Sequence, residues 1–206
     1  MHAPSHFRVN DLTRLWGLVE ELAWGSVFST DADGTPYATF VPWVRRDGRL
    51  LGHMARANRQ WRSFAPDRPV LCQFAGPHGY ISPAWYAEDH HVPTWNVVQV
   101  QVRGRPRLLE GDDARHVVEA TVGELERRRD TPWPLEKMAR TIDKLLPGIA
   151  AFEITDAEIE GSWKLSQNKT AADREGVIAA LDATGHSDLA ALMRDEHHAA
   201  ARSEEQ

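Results

Sequence analysis

The 206-residue chain has a formal net charge of −6 and 42% hydrophobic residues, which suits one domain with an appendage, or two small domains, around a sizeable core. The acidic balance excludes a broadly basic nucleic-acid surface while leaving room for a local patch, and the single Cys72 excludes an intramolecular disulfide. No run approaches 18 apolar residues and the start Met1-His-Ala-Pro-Ser-His-Phe-Arg8 lacks a signal peptide's apolar stretch, so a soluble, cytoplasmic protein without a membrane partner is expected.

Asn10 or Asp11 can cap a first helix, along which Leu12, Leu15, Trp16, Val19 and Leu22 recur at helical spacing. Trp16 and Trp24 are expected in the core. After Gly25 the pattern turns to strands: Ser26–Thr30, a turn at Asp31-Ala-Asp33-Gly34, then Tyr37–Val44, apolar on both alternating faces. Asp47-Gly48 turns the chain again and Arg49–Met54 returns. Val70–Ala75 and Tyr80–Ser82 read as two further strands, with Cys72 a buried structural thiol. In Val97–Leu109, Val98, Val100 and Val102 point one way and Gln99, Gln101, Arg103 and Arg105 the other, with Gly104 and Pro106 marking a bulge or an edge.

Asp112–Arg129 reads as a helix, with acids at its start and Arg127-Arg128-Arg129 at its end to complement the macrodipole. A second helix is expected over Leu135–Leu146, stopped by Pro147-Gly148. Strands Ile149–Ile154 and Ile159–Leu165 follow. From Thr170 the chain is helical, with stripes Val177, Ile178, Leu181 and Leu189, Leu192, Met193 and a frayed end at Arg202–Gln206. Hairpin-connected strands with helices grouped elsewhere predict an α+β barrel and not a doubly wound parallel sheet.

Three polar-aromatic stretches stand out. In His53-Met-Ala-Arg56-Ala-Asn58-Arg-Gln-Trp61, an imidazole, a guanidinium and a carboxamide arrive at a strand-to-helix junction, a setting that suits a phosphate or carboxylate. Pro93-Thr-Trp95-Asn96 and Trp163-Lys164-Leu-Ser166-Gln167-Asn168 add aromatic faces and convergent polar groups, as a flat charged cofactor requires. Trp85, Trp95 and Trp163 are expected to wall a pocket or a subunit interface. A cap, a core tryptophan and a solvated lysine explain any one of these stretches equally well. There is no Gly-rich phosphate loop, Gly-x-Ser-x-Gly elbow, Cys-x-x-Cys or His-Glu-x-x-His, and the adjacent pairs His90-His91 and His197-His198, read as loop and tail, do not make a zinc site.

Taken together, Gly52-His53-Met-Ala-Arg56-Ala-Asn58, Gly76-Pro-His78-Gly-Tyr80-Ile-Ser82-Pro-Ala-Trp85-Tyr86, Val92-Pro-Thr-Trp95-Asn96 and Lys164-Leu-Ser166-Gln-Asn168 resemble the PaiB family, as do Pro4-Ser-His6-Phe7 and Asp33-Gly34-Thr-Pro36. Its members are called FMN-binding negative transcriptional regulators. The resemblance implies a flavin-reductase-like split β-barrel with added helices, built as a homodimer with cofactor sites at the subunit interface. Residues 1–166 would form the barrel domain and 167–206 a helical extension. In the FMN reading, Arg56 pairs with the phosphate, Trp95 flanks the ring system, and Asn58, Asn96, Ser166 and Gln167 address its polar edges.

The resemblance extends to piperazate synthases, which use haem to form an N–N bond. There His53 would be the axial ligand to haem b and Lys164 the catalytic group serving a small-molecule substrate. Both versions place His53 and Lys164 in one pocket. A cofactor-free module, in which the same residues cement the dimer, is a third reading. The regulator name implies DNA as a partner, although no helix-turn-helix is recognisable.

Overall fold

The computed structural model describes residues 1–88 and 90–204, with side chains described to residue 197. Two compact units share the chain: residues 12–74 with 101–159, and residues 1–11 and 75–100 with the chain from Glu160 on. The boundary expected at residue 166 falls inside the second unit.

The first unit holds most of the barrel strands, and β1 and the ends of β5, β6 and β7 belong to the second. Helix α1 (Leu12–Leu22) is followed by strands β2 (Trp24–Thr30), β3 (Pro36–Arg46) and β4 (Arg49–Ala55), a short first strand β1 being Arg8–Val9. Strands β5 (Val70–Ile81), β6 (Thr94–Leu109) and β7 (Ile149–Lys164) complete the sheet, in the order β1-β7-β4-β3-β2-β5-β6, and a further β7–β6 pairing closes it. The α+β split barrel expected from the sequence is therefore present.

Hairpin chemistry sets the register. Asp47 (φ 50°) and Gly48 (φ 75°) both lie in the left-handed region that a two-residue turn demands, which pairs Arg46 with Arg49. Inside, Trp43 packs edge-on to Phe152 at 5.6 Å, and Phe64 meets Phe152 at 4.9 Å. A Cβ at position 52 would lie 2.8 Å from the Trp43 ring, so Gly52 is there to let that indole in. Gly104, expected at a bulge or an edge, is instead where β6 and β7 approach: its Cβ would lie 2.5 Å from Ile154 Cγ2 and 2.6 Å from the Thr155 carbonyl oxygen.

Outside, helix α2 (Gly111–Glu126) lays Ala114 and Val117 on Val44, Leu51, Leu109 and Ala151. The arginines expected to end this helix lie just past it, and Arg128 reaches the Glu20 and Glu21 carbonyls to cap the C-terminus of α1. The helix expected over Leu135–Leu146 is broken into a 3₁₀ turn, α3 (Ala139–Leu145) and a second 3₁₀ turn. Only Ile142 of α3 is buried, so no continuous apolar stripe holds a longer helix.

Three further expectations are corrected. The two strands read over Val70–Ser82 are one, because Gly76-Pro-His78-Gly79 runs extended, with the Leu189 side chain 3.1 Å from where a Cβ at 79 would sit. Likewise Ile149–Ile154 and Ile159–Leu165 are one strand, bent at Asp156 (φ 50°). Trp24 is 53% exposed, not core, and stacks at 5.9 Å on Phe40, itself 63% exposed. Strand β3 is thus buried on both faces only around Val41–Val44, while Ala38 and Phe40 face outward uncovered.

The second unit pairs β1 with β7 and packs α4 (Ala171–Ala183) and α5 (Ser187–Glu204) through Val177, Leu181, Leu189 and Met193, as the stripes predicted. The fraying expected at Arg202–Gln206 does not hold to Glu204, where α5 is still helical, and Glu205 and Gln206 lie outside the described residues. His197 is in α5 and not in a tail, its Nδ1 at 2.9 Å from Arg174 Nη2. No described helix is long and apolar enough to cross a membrane.

Candidate functional site

In the barrel unit, His53 stands opposite Ala151 in the β4–β7 ladder, on the face that carries Leu51. Its ring is half-buried, and burial holds the imidazole below its ordinary value, so it is neutral at physiological pH. The Nδ1 atom is buried with no hydrogen-bond partner. Such an orphan is uncommon and marks a place where a bound group can supply the missing contact.

Arg56 follows in an exposed turn. Its Nε donates to the Ile149 carbonyl at 3.2 Å, and the rest of the guanidinium has no carboxylate partner among the described residues. The junction expected to open a helix opens a five-residue 3₁₀ turn, Arg59–Ser63. Asn58 caps it, accepting from the Gln60 N–H at 2.9 Å and donating to Thr39 Oγ1 at 2.8 Å. Buried Gln60 then donates to the Val27 carbonyl at 2.9 Å and to Ser29 Oγ at 3.1 Å, which fastens the turn to β2. Asn58, expected to address a cofactor edge, therefore spends both ends of its carboxamide on framing the turn.

In the other unit, the two remaining stretches are strapped together. Lys164 Nζ donates to Thr94 Oγ1. Asn96, fully buried, donates to Ser166 Oγ at 3.0 Å and contacts Met193 Sδ at 3.4 Å. Gln167 accepts from the Leu165 N–H at 2.8 Å and donates to the Trp163 carbonyl, closing a turn in which Ser166 adopts φ 64°. Asn96, Ser166 and Gln167 are thus occupied with the protein, and Trp163, at 4% exposure, is core and not an interface wall. Trp95 is 56% exposed, with Tyr80 edge-on at 6.2 Å.

A further cluster escaped the sequence reading. His91 Nε2 lies 3.2 Å from Asp173 Oδ2, Lys169 Nζ lies 2.9 Å from His91 Nδ1, and the Lys169 ammonium sits 4.9 Å over the Tyr86 ring. Asp173 also accepts from the Ala87 N–H at 2.9 Å, while its own N–H reaches the Thr170 cap. Burial pushes the Asp173 carboxyl up, but the Ala87 amide, Thr170 and His91 outweigh it and hold the group below the ordinary carboxylate range. A depressed folded value stabilises the fold above the unfolded value of about 3.9, and that contribution is lost as pH falls below it. Asp173→Asn should therefore flatten the acid limb of a stability-versus-pH curve followed by circular dichroism. A limb as steep as wild type would remove Asp173 from the linkage.

An exposed arginine turn thus follows a neutral, partly unsatisfied histidine on a split barrel. Residues 1–157 match the family described as "Putative FMN-binding domain". Protease synthase and sporulation protein PAI 2 of Bacillus subtilis is 34% identical over 204 residues, covering 95% of this chain and 98% of that one. This chain belongs to the PaiB family, the family of PAI 2, whose domain is described as a putative FMN-binding domain. Among solved structures, an FAD and haem binding protein from Mycobacterium smegmatis superposes with TM-score 0.59 at 15% identity, over 82% of this chain and 78% of that one. The flavocytochrome Anf3 from Azotobacter vinelandii gives TM-score 0.54 at 15% identity, over 79% and 72%. These two establish likeness of fold.

Proposed function

We propose that this protein is a cytoplasmic homodimer that binds FMN and acts as a negative transcriptional regulator or redox sensor of the PaiB type. The observation that carries the reading is similarity along nearly the whole length to a PaiB protein, 34% over 95% of the chain. FMN would bring the redox chemistry of its ring, and the chain's own residues bind and orient it. Arg56 suits the phosphate because its guanidinium is exposed, steadied by the Nε–Ile149 hydrogen bond and the Trp61 ring, and has no carboxylate on its Nη groups among the described residues. Trp95 suits the ring as an exposed, rigid indole. The outward apolar residues Trp24, Phe28 and Phe40 are what a subunit contact would cover.

If Arg56 holds the phosphate, Arg56→Ala should weaken FMN binding by about 1.5–3 kcal/mol, the scale of hydrogen bonds to a charged group, and Arg56→Lys should restore only part of it. Flavin fluorescence titration measures this directly. Unchanged affinity in folded Arg56→Ala protein would move Arg56 out of the site.

One observation favours a second reading, a haem b enzyme of the piperazate-synthase type: the half-buried His53 ring is held neutral, as an imidazole that would bind iron must be. Against it, a ligating histidine normally has its other nitrogen fixed by a protein acceptor, and His53 Nδ1 has none. In this reading Lys164, whose ammonium donates to Thr94 Oγ1, would serve the substrate. His53→Ala would then abolish haem binding, and Lys164→Ala would keep the haem and lose turnover.

A further inference from the structure

The turn that carries Arg56 has more positive charge than one phosphate monoester calls for. Arg56, Arg59 and Arg62 are all exposed, and the chain has no acidic residue between Asp47 and Asp67. None of the three guanidiniums has an ion-pair partner among the described residues, whereas Arg45, Arg46, Arg49, Arg107, Arg115 and Arg127 each sit on a carboxylate. In a chain of net charge −6 this is a concentrated, uncompensated positive spot.

It is also rigid. The Trp61 indole donates to the Arg56 carbonyl at 2.9 Å and has the Arg56 and Arg62 guanidiniums each 5.4 Å from its ring centroid. The Asn58 cap and the buried Gln60 and Ser63 bolt the backbone to the barrel, Ser63 Oγ lying 2.7 Å from Ser29 Oγ. Like charges held side by side cost stability, so a fold that presents them pre-ordered gains when a polyanion arrives.

We propose that the Arg56–Arg62 turn is the surface by which this protein grips the sugar-phosphate backbone of duplex DNA, Arg59 and Arg62 being the principal contacts. The proposal rests on the regulator reading above and gives it a place on the molecule. Guanidiniums neutralise phosphates without reading bases, so this surface supplies affinity and orientation, not sequence choice. It also gives an acidic chain, in whose sequence no helix-turn-helix is recognisable, a place to hold DNA.

The test uses the full chain and a fluorescein-labelled duplex of about 30 base pairs of arbitrary sequence, followed by anisotropy between about 50 and 200 mM salt. Neutralising two phosphates, one each by Arg59 and Arg62, predicts a slope of log Kobs against log salt of about −1.8, from roughly 0.9 per contact. Arg59→Ser with Arg62→Ser should bring the slope close to zero and weaken binding at the lowest salt by at least tenfold. Both variants leave Asn58 and Gln60 in place, and FMN titration of the same preparations reads the cofactor separately. Absence of duplex binding by wild type, or an unchanged slope in the double variant, overturns the proposal even where FMN binds normally. Loss of FMN binding by the double variant with its DNA slope intact also overturns it and gives these arginines to the cofactor phosphate.

Discussion

Gly104→Val is expected to destabilise the protein by about 3 kcal/mol or more, the upper range for overpacking a close-packed interior. The new Cβ would meet Ile154 Cγ2 at 2.5 Å and the Thr155 carbonyl oxygen at 2.6 Å, and the second of these is backbone that cannot swing aside. Because β6 and β7 close the barrel at this point, the strain cannot be absorbed at a free edge. For a chain of this size the loss corresponds to a fall in Tm of roughly 6–12 °C. Gly123→Ala is the control: nothing lies within 4 Å of its Cβ, and a helix-interior alanine should stabilise α2 by about 0.5–1 kcal/mol. Thermal unfolding of the two variants should move in opposite directions, and equal Tm values would refute this account of barrel closure.

The second large effect concerns assembly. Trp24 and Phe40 stack with their planes 8° apart on the outer face of β2 and β3, in register with Pro42 and Ser26, and Phe28 continues the apolar face beside Ala38. Trp24→Glu with Phe40→Glu places two charges where a partner would have to desolvate them, so the proposed dimer should give way to monomer at micromolar concentration. Fold stability of the monomer should change little, since both side chains are exposed in it. Sedimentation velocity distinguishes the outcomes. A wild type that is already monomeric, or a double variant that remains dimeric, removes this face as the subunit contact.

Much of the fold was legible in the sequence because its signals are local. The Asp47-Gly48 turn, the alternation of Val98, Val100 and Val102, and the stripes of α4 and α5 each follow from period and turn chemistry. What escaped depended on partners distant in sequence. Gly76-Pro-His78-Gly79 reads as a turn until Leu189 covers it, and Gly104 reads as an edge until Ile154 arrives. Trp24 reads as core because hydrophobicity alone cannot say which sheet face a helix covers. At the candidate site, His53 and Arg56 stand out in the sequence as unusual residue types at a junction. Asn58, Asn96, Ser166 and Gln167 carry the same polar signature, yet their atoms are taken by Thr39, each other and nearby backbone, which composition cannot reveal. Arg59 and Arg62 had a readable signal in their three-residue spacing and the absence of acids around them. The His91–Asp173–Lys169 cluster had none, since 78 positions separate Lys169 from His91.

The central claim, an FMN-binding PaiB-type protein, is tested most directly by the visible absorption spectrum of protein purified without added cofactor, repeated after addition of FMN. Paired bands in the blue and near ultraviolet, retained through gel filtration in wild type and weakened in Arg56→Ala, are the predicted result. An intense band at the violet edge that disappears in His53→Ala would contradict FMN and establish haem, and a protein left colourless after FMN addition would contradict both.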